Sequence, residues 1–243
     1  MKTLTIIPSR MSATRLPGKP LLKINGLSII SHVFKKAIEA NIGEVFVATE
    51  DQEIVDDVMS NGGNAILTSR NHKTGTDRIY EALKKLNVKN VDLVMNLQGD
   101  EPAINIEDII SLNKKMISNN SKIGTLAAKI EDLKNLENEN IVKVVTKESL
   151  DNFQFSEAKI FKRNLLNVDN VYHHIGIYCY NRDTLEKFVK LDQSKNEIKN
   201  RLEQLRALDN NIQINVGLAK SSPIGVDTKE DYLALKKIME YKV

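Results

Sequence analysis

Four times between residues 4 and 117, a short apolar run is followed by a stretch of helical period. The runs 4–7, 44–49, 65–68 and 91–97 read as buried strands. The stretches 28–40, 51–60, 76–86 and 106–117 read as helices, with Ile54, Val55 and Val58 on one face of the second and Ile79, Leu83 and Leu86 on one face of the third. Strand-then-helix units joined by short links predict an α/β fold of Rossmann-like type, a mostly parallel sheet with helices on both faces. Right-handed crossovers in such a sheet put ligands beyond the carboxyl ends of the strands. The loops at those ends are therefore where chemistry is sought.

The second half is less regular. Residues 122–130, 142–146 and 153–155 are short strand candidates, 171–180 a long strand and 212–218 a last inner one. The Asn-rich stretches 131–140 and 163–170 read as loops, and 183–191 and 229–241 as helices. Ile198, Leu202, Leu205 and Leu208 form one helical stripe that predicts a buried face. With 243 residues and 41% hydrophobic content, a single domain spanning 1–243 is expected.

Charge and composition exclude several functions. Thirty-five cationic against 32 anionic side chains, evenly scattered, give no basic stripe for nucleic acid. No apolar stretch approaches membrane-spanning length and no secretory leader pattern opens the chain, so a cytoplasmic protein without a membrane partner is expected. Cys179 is the single cysteine, which excludes an intrachain disulfide; within an apolar strand it reads as an inert buried thiol.

The loop after the first strand carries Arg10, Arg15 and Lys19 among Ser9, Ser12 and Thr14, with Pro17 and Pro20 around Gly18. Cations and hydroxyls in that place suit a polyphosphate. Lys19 is followed by Pro20, which excludes a Walker loop, and the three-glycine dinucleotide fingerprint is absent. Asp100, after Gly99 at the fourth strand's end, is suited to a hard cation such as Mg²⁺. Two readings of Asp227 stay open on the residues alone: an N-cap of the closing helix, or a second carboxylate for Asp100's metal. Thr76 and Asp77 read as caps of the third helix, where Gly75 allows a ligand close approach. His174 alone reads as a hydrogen-bonded core histidine, and Glu203 as a residue beside the apolar stripe.

These segments together carry a resemblance. Residues 7–10 and 15–21, Thr74-Gly75-Thr76-Asp77-Arg78, Leu97-Gln98-Gly99-Asp100-Glu101-Pro102, His174-Ile175-Gly176-Ile177-Tyr178, Leu202-Glu203-Gln204-Leu205-Arg206 and Gly225-Val226-Asp227-Thr228 stand in the order found in sugar-acid cytidylyltransferases. Within these the chain most resembles the 3-deoxy-manno-octulosonate (Kdo) cytidylyltransferase family. The resemblance implies transfer of CMP from CTP to Kdo in lipopolysaccharide biosynthesis, with Mg²⁺ as cofactor. It implies a nucleotide-diphospho-sugar transferase type of fold and a homodimer, with a dimerisation and sugar-binding subregion roughly within 130–210. Arg10, Arg15 and Lys19 match the triphosphate loop, and Gly75, Thr76 and Arg78 the nucleotide site. Gln98, His174, Tyr178, Tyr180, Glu203 and Gln204 match the sugar-acid pocket, and Asp100 and Asp227 the metal ligands. The expected reacting centre is Lys19, Arg10, Asp100 and Asp227.

One departure bears on the acceptor. Where the family has arginine after Phe155-Ser156, this chain has Glu157. A carboxylate there would suit the ammonium of 8-amino-3,8-dideoxy-manno-octulosonate. Other readings are a different nonulosonic acceptor such as a sialic acid, or a catalytically silent nucleotide-binding protein.

Overall fold

The computed structural model describes residues 1–12, 14–130, 132, 134–151, 154–165 and 169–240. They fall into two compact units, the described residues of 1–110 with 223–240 and those of 111–222.

The first unit is built on four parallel strands in the order β5-β4-β1-β6. Its elements are β1 (Thr3–Ser9), β2 (Lys23–Ile24), β3 (Leu27–Ser28), α1 (Ile29–Glu39), β4 (Gly43–Thr49), α2 (Gln52–Ser60), β5 (Ala65–Leu67), α3 (Gly75–Leu86) and β6 (Leu93–Asn96). β1 is buried along almost its whole length, as a strand between two parallel neighbours must be. Thr3 pairs with Gly43 and Leu93, and Ser9 with Thr49, so the ends of β1, β4 and β6 share one edge. α1 buries Ile29, Ile30, Val33, Phe34 and Ala37, and Ser28 caps it by accepting from the Ser31 amide at 3.2 Å. The β2–β3 hairpin was not anticipated. Its signal is Asn25-Gly26, both at positive φ (49° and 77°), the pair a tight hairpin turn prefers.

α4 (Ile106–Asn119) leads into the second unit, which comprises β7 (Ile123–Ala128), α5 (Lys134–Glu137), β8 (Lys143–Thr146), β9 (Ser156–Lys162), β10 (Val171–Asn181), α6 (Arg182–Val189), α7 (Lys195–Asn200), α8 (Leu205–Asp209) and β11 (Ile214–Leu218). Pairing runs β10-β7-β11-β9-β8, and β8 also pairs with β10, closing a circuit. All these pairs are antiparallel except β7–β11, so the parallel expectation holds only for the first unit. α9 (Lys229–Glu240) then packs Leu235 in the first unit against Ile24, Ile29 and Val226.

Several expectations are corrected. The short helix α5 lies inside 131–140, expected to be loop, and the strand sought at 153–155 begins at Ser156. Residues 131, 133, 153, 166–168 and 241 of those predictions fall outside the described residues. The stripe from Ile198 to Leu208 is not one helix: Arg201 takes the left-handed conformation (φ 52°), ends α7, and leaves Ile198 61% exposed. A buried ion pair, Glu197 to Arg206, replaces the apolar seam that the spacing predicts. Cys179 is buried, with its thiol pushed above its ordinary value by burial.

Candidate active site

The ends of β1 and β6, the start of α3 and the turn before α9 surround a cavity of about 360 Å³ in the first unit. Arg10, Arg15, Lys19, Gly75, Arg78, Gln98, Asp100 and Asp227 all line it. Thr76 does not; it is buried inside the first turn of α3. The cap of α3 is Thr74, paired with Asp77 in a reciprocal capping box, which corrects the reading of Thr76 as a cap.

The 10–18 loop is pinned at its neck. The Met11 amide donates to Asp51 at 2.7 Å, and the Gly18 amide to the Met11 carbonyl at 3.0 Å. Lys19 follows, opening a single 3-10 turn with buried Pro20. Its ammonium donates to Asp100 (2.6 Å), the Val226 carbonyl (2.9 Å) and Asp227 (3.2 Å), and Arg15 meets the other Asp227 oxygen at 2.7 Å. Burial alone would lower the Lys19 pKa, but Asp100 and Asp227 outweigh it and raise it. The Val226 amide also donates to the Asp100 carbonyl at 2.9 Å, which ties the two aspartates through backbone. Val226 itself sits in the Ile24, Ile29 and Leu235 cluster, so the packing of α9 holds Asp227 in place.

Asp227 is not the helix cap. Thr228 takes that role, accepting from the Asp231 amide at 3.1 Å, while the Asp231 carboxylate accepts from the Asp227 and Thr228 amides. Glu101 adds a third carboxyl whose Oε2 is buried without a hydrogen-bond partner. Burial first, then the charges of Asp100 and Asp227, push it up to about 8. Two carboxylates converging on one ammonium, beside an orphaned carboxyl oxygen, form a donor set that fits a hard divalent cation. Among the described residues no group of three or more His, Cys, Asp or Glu is placed to hold a metal ion, so the protein's share of such a site is the Asp100 and Asp227 pair. An ion there would take its other ligands from phosphate and water.

Gly99 is required by close approach. A Cβ there would lie 2.8 Å from the Pro8 carbonyl oxygen and 3.1 Å from Ile30 Cδ1. Gly99→Ala must push β1's end away from the 98–100 turn. We expect a loss of about 1–3 kcal/mol in stability, read by urea denaturation, and several-fold weaker nucleotide binding, read by calorimetry.

Sequence reasoning missed the groups that hold this wall. Arg78 is buried; its guanidinium meets Glu50, Thr68 Oγ1 at 2.6 Å and the Ser69 carbonyl at 3.3 Å. Glu50 and Asp51 stand just past the end of β4, and carboxylates at the end of a parallel strand were the available signal.

His174, Tyr178, Tyr180, Glu203 and Gln204 belong to the second unit. His174 Nε2 is 3.1 Å from Thr125 Oγ1, and its ring packs edge-on to Phe161. Centroid distances of 5.4 Å and 5.9 Å continue the row through Tyr178 to Tyr180. The Tyr178 hydroxyl is buried without a hydrogen-bond partner. Burial, then the charge of His173, push His174 down to about 3. Unfolding therefore takes up a proton between that value and the ordinary 6.5, and stability falls as the pH falls through this window. The loss approaches about 1.4 kcal/mol per pH unit at most. Melting curves from pH 7 to pH 5 should fall more steeply for the native chain than for His174→Gln.

Glu157 lies apart from this row. It stands on β9 in a polar depression with Lys147, Gln213 and Asn215, and its carboxylate is paired with Lys147 at 2.6 Å. The free anion on which the amino-sugar reading rested is thus already neutralised.

A cytidylyltransferase family model matches residues 4–214. The 3-deoxy-manno-octulosonate cytidylyltransferase of Rhodopseudomonas palustris (strain BisB5) is 43% identical over 242 residues, with 98% of each chain covered. That of Thermodesulfovibrio yellowstonii is 44% identical over 251 residues, again with 98% of each covered. A solved structure of CMP:2-keto-3-deoxy-manno-octonic acid synthetase complexed with CTP superposes with a TM-score of 0.91 at 33% identity, covering both chains fully. A UDP-glucose pyrophosphorylase structure, at 15% identity and TM-score 0.77, shares the fold. The chain belongs to the 3-deoxy-manno-octulosonate cytidylyltransferases of the cytidylyltransferase family.

Proposed function

We propose that the chain transfers the cytidylyl group of CTP to the anomeric hydroxyl of Kdo, supplying CMP-Kdo to lipopolysaccharide biosynthesis. The observation that carries this reading is the convergence of Asp100 and Asp227 on Lys19 beside a cation-rich loop. The hydroxyl oxygen bonds to the α-phosphorus, the bond from that phosphorus to the pyrophosphate oxygen breaks, and the hydroxyl proton passes to solvent. Such a transfer asks the protein mainly for alignment and charge neutralisation.

Arg10 and Arg15 bind the triphosphate, and Lys19 with Arg10 stabilises the charge that gathers on the departing pyrophosphate. The two aspartates keep Lys19 protonated for that work. Asp100 and Asp227 would hold Mg²⁺, which when bound would supply neutralisation of phosphate charge and acidification of the attacking hydroxyl. Gly75 and Arg78 shape the nucleotide site, Arg78 being locked by Glu50, and the buried Thr76 contributes only to the first turn of α3 behind it. The second unit's His174, Tyr178, Tyr180, Glu203 and Gln204 bind the sugar acid, which the unpartnered Tyr178 hydroxyl supports. Gln98, on the first unit's cavity wall, is matched to the same ligand by the family resemblance. The enzyme works in the cytoplasm as a homodimer formed through the 130–210 region; among the described residues no helix is long and apolar enough to cross a membrane.

Pyrophosphate release from CTP and Mg²⁺ with Kdo, its 8-amino analogue and a sialic acid tests the reading. Kdo should be used fastest. Faster use of another acid overturns the acceptor, and no release with any acid leaves a silent nucleotide-binding protein. Light scattering should give twice the 27.4 kDa chain mass.

A further inference from the structure

His72 lines the nucleotide cavity, yet the chemistry above does not use it. Its Nε2 is bonded to Glu81 on α3. Glu81 is itself held from three sides: it accepts from the Ser69 amide with both oxygens (3.0 and 3.1 Å) and meets Lys85 at 2.7 Å. Burial pushes its carboxyl up, but Lys85, the Ser69 amide and His72 outweigh this and hold it down to about 2.

An ionised carboxylate only accepts, so the ring proton of His72 sits on Nε2. Nδ1 is the remaining nitrogen, and in the neutral ring it is an acceptor. The groups that match triphosphate and metal are gathered elsewhere on the cavity wall, where Arg15, Lys19, Asp100 and Asp227 are knitted together. His72 belongs to the wall formed by the 68–78 segment. There Arg78 grips Thr68 and Ser69, and Glu81 grips Ser69 and His72. An acceptor fixed in that wall suits the exocyclic amine of cytosine and repels the O4 acceptor of uracil.

We propose that His72 is a specificity-determining residue of the nucleotide site, accepting at Nδ1 from the cytosine amine, and that Glu81 is the positioning residue that sets its tautomer and orientation. The inference rests on the nucleotidyl-transfer reading above.

The test compares kcat/KM for CTP and UTP at pH 8.5 with Kdo and Mg²⁺, alongside calorimetric binding of each nucleotide. His72→Phe keeps a ring without the acceptor, and Glu81→Ala keeps the imidazole but frees it. Melting curves decide whether His72→Phe is folded; if it is not, His72→Ala replaces it. Loss of one hydrogen bond should lower the CTP-to-UTP ratio about tenfold in the His72 variant, and about threefold or more in Glu81→Ala. An unchanged ratio, or equal losses for both nucleotides as a merely structural role would give, overturns the proposal. Failure of the native chain to bind either nucleotide overturns the functional reading with it. Normal turnover of CTP with an unmoved ratio removes the His72 assignment alone.

Discussion

Asp100→Asn should lower turnover by about 10²-fold or more while leaving the fold intact, the scale seen when one stabiliser of transition-state charge is removed. The carboxylate is 31% exposed and accepts at 2.6 Å from Lys19, so the isosteric amide fills the same space without the charge. Two consequences follow from that loss. The Lys19 ammonium keeps only Asp227 and the Val226 carbonyl, so the raising of its pKa shrinks while the burial that lowers it remains. The proposed cation site loses half of its charged donors, and the Mg²⁺ concentration needed for half-maximal rate should rise. Single-turnover rates across a Mg²⁺ titration separate the two effects. A defect rescued by excess Mg²⁺ is one of ion binding, and a defect that persists at saturation lies in charge stabilisation. Near-native turnover would take Asp100 out of the reacting centre.

The first unit was largely legible because parallel strands buried on both faces read as unbroken apolar runs, and helices between them have one apolar side. β1 and α1 fall within a residue or two of the expected bounds. The same alternation fixed where to search, and the cavity lies at those strand ends. The partners that hold the site were less legible. Nothing local to Arg78 marks Glu50 as its anchor, since the pair joins residues 28 apart through packing of α3 on the sheet. Asp227 was ambiguous for a related reason: Asp227-Thr228 offers two capping residues in succession, and only the bond from the Asp231 amide to Thr228 assigns the cap. In the second unit the stripe at Ile198 misled because periodicity counts apolar positions. It is blind to the left-handed turn at Arg201 and to the buried Glu197–Arg206 pair on either side of it.

That charge pair sets the largest stability effect expected here. Arg206 and Glu197 are both nearly excluded from solvent, at 3% and 4% side-chain exposure, and are joined twice: Nε to Oε2 at 2.8 Å and Nη2 to Oε1 at 2.6 Å. Arg206 also lies 4.7 Å over the Phe188 ring, while Glu197 closes the capping box of α7 with Ser194. Burial alone would raise the Glu197 pKa, but the Arg206 guanidinium, Gln193 and the Ser194 amide outweigh it and lower it. Its folded value thus lies below the unfolded one, so this stabilisation is present at neutral pH and is lost as the pH falls through the acid range. Glu197→Ala should cost about 3 kcal/mol in urea denaturation at pH 7, because it removes both short bonds to a buried guanidinium, leaves that guanidinium the longer 3.7 Å approach to Glu203, and opens the cap. The pair Glu197→Met with Arg206→Met should recover most of that loss, since an apolar pair of similar volume carries no desolvation cost. If the double variant is as unstable as Glu197→Ala, the cost lies in the lost cap and the stacking on Phe188 rather than in the weakened pairing of the buried guanidinium. A loss below about 1 kcal/mol in the single variant would mean that water reaches Arg206 in solution and that the pair behaves as a surface one.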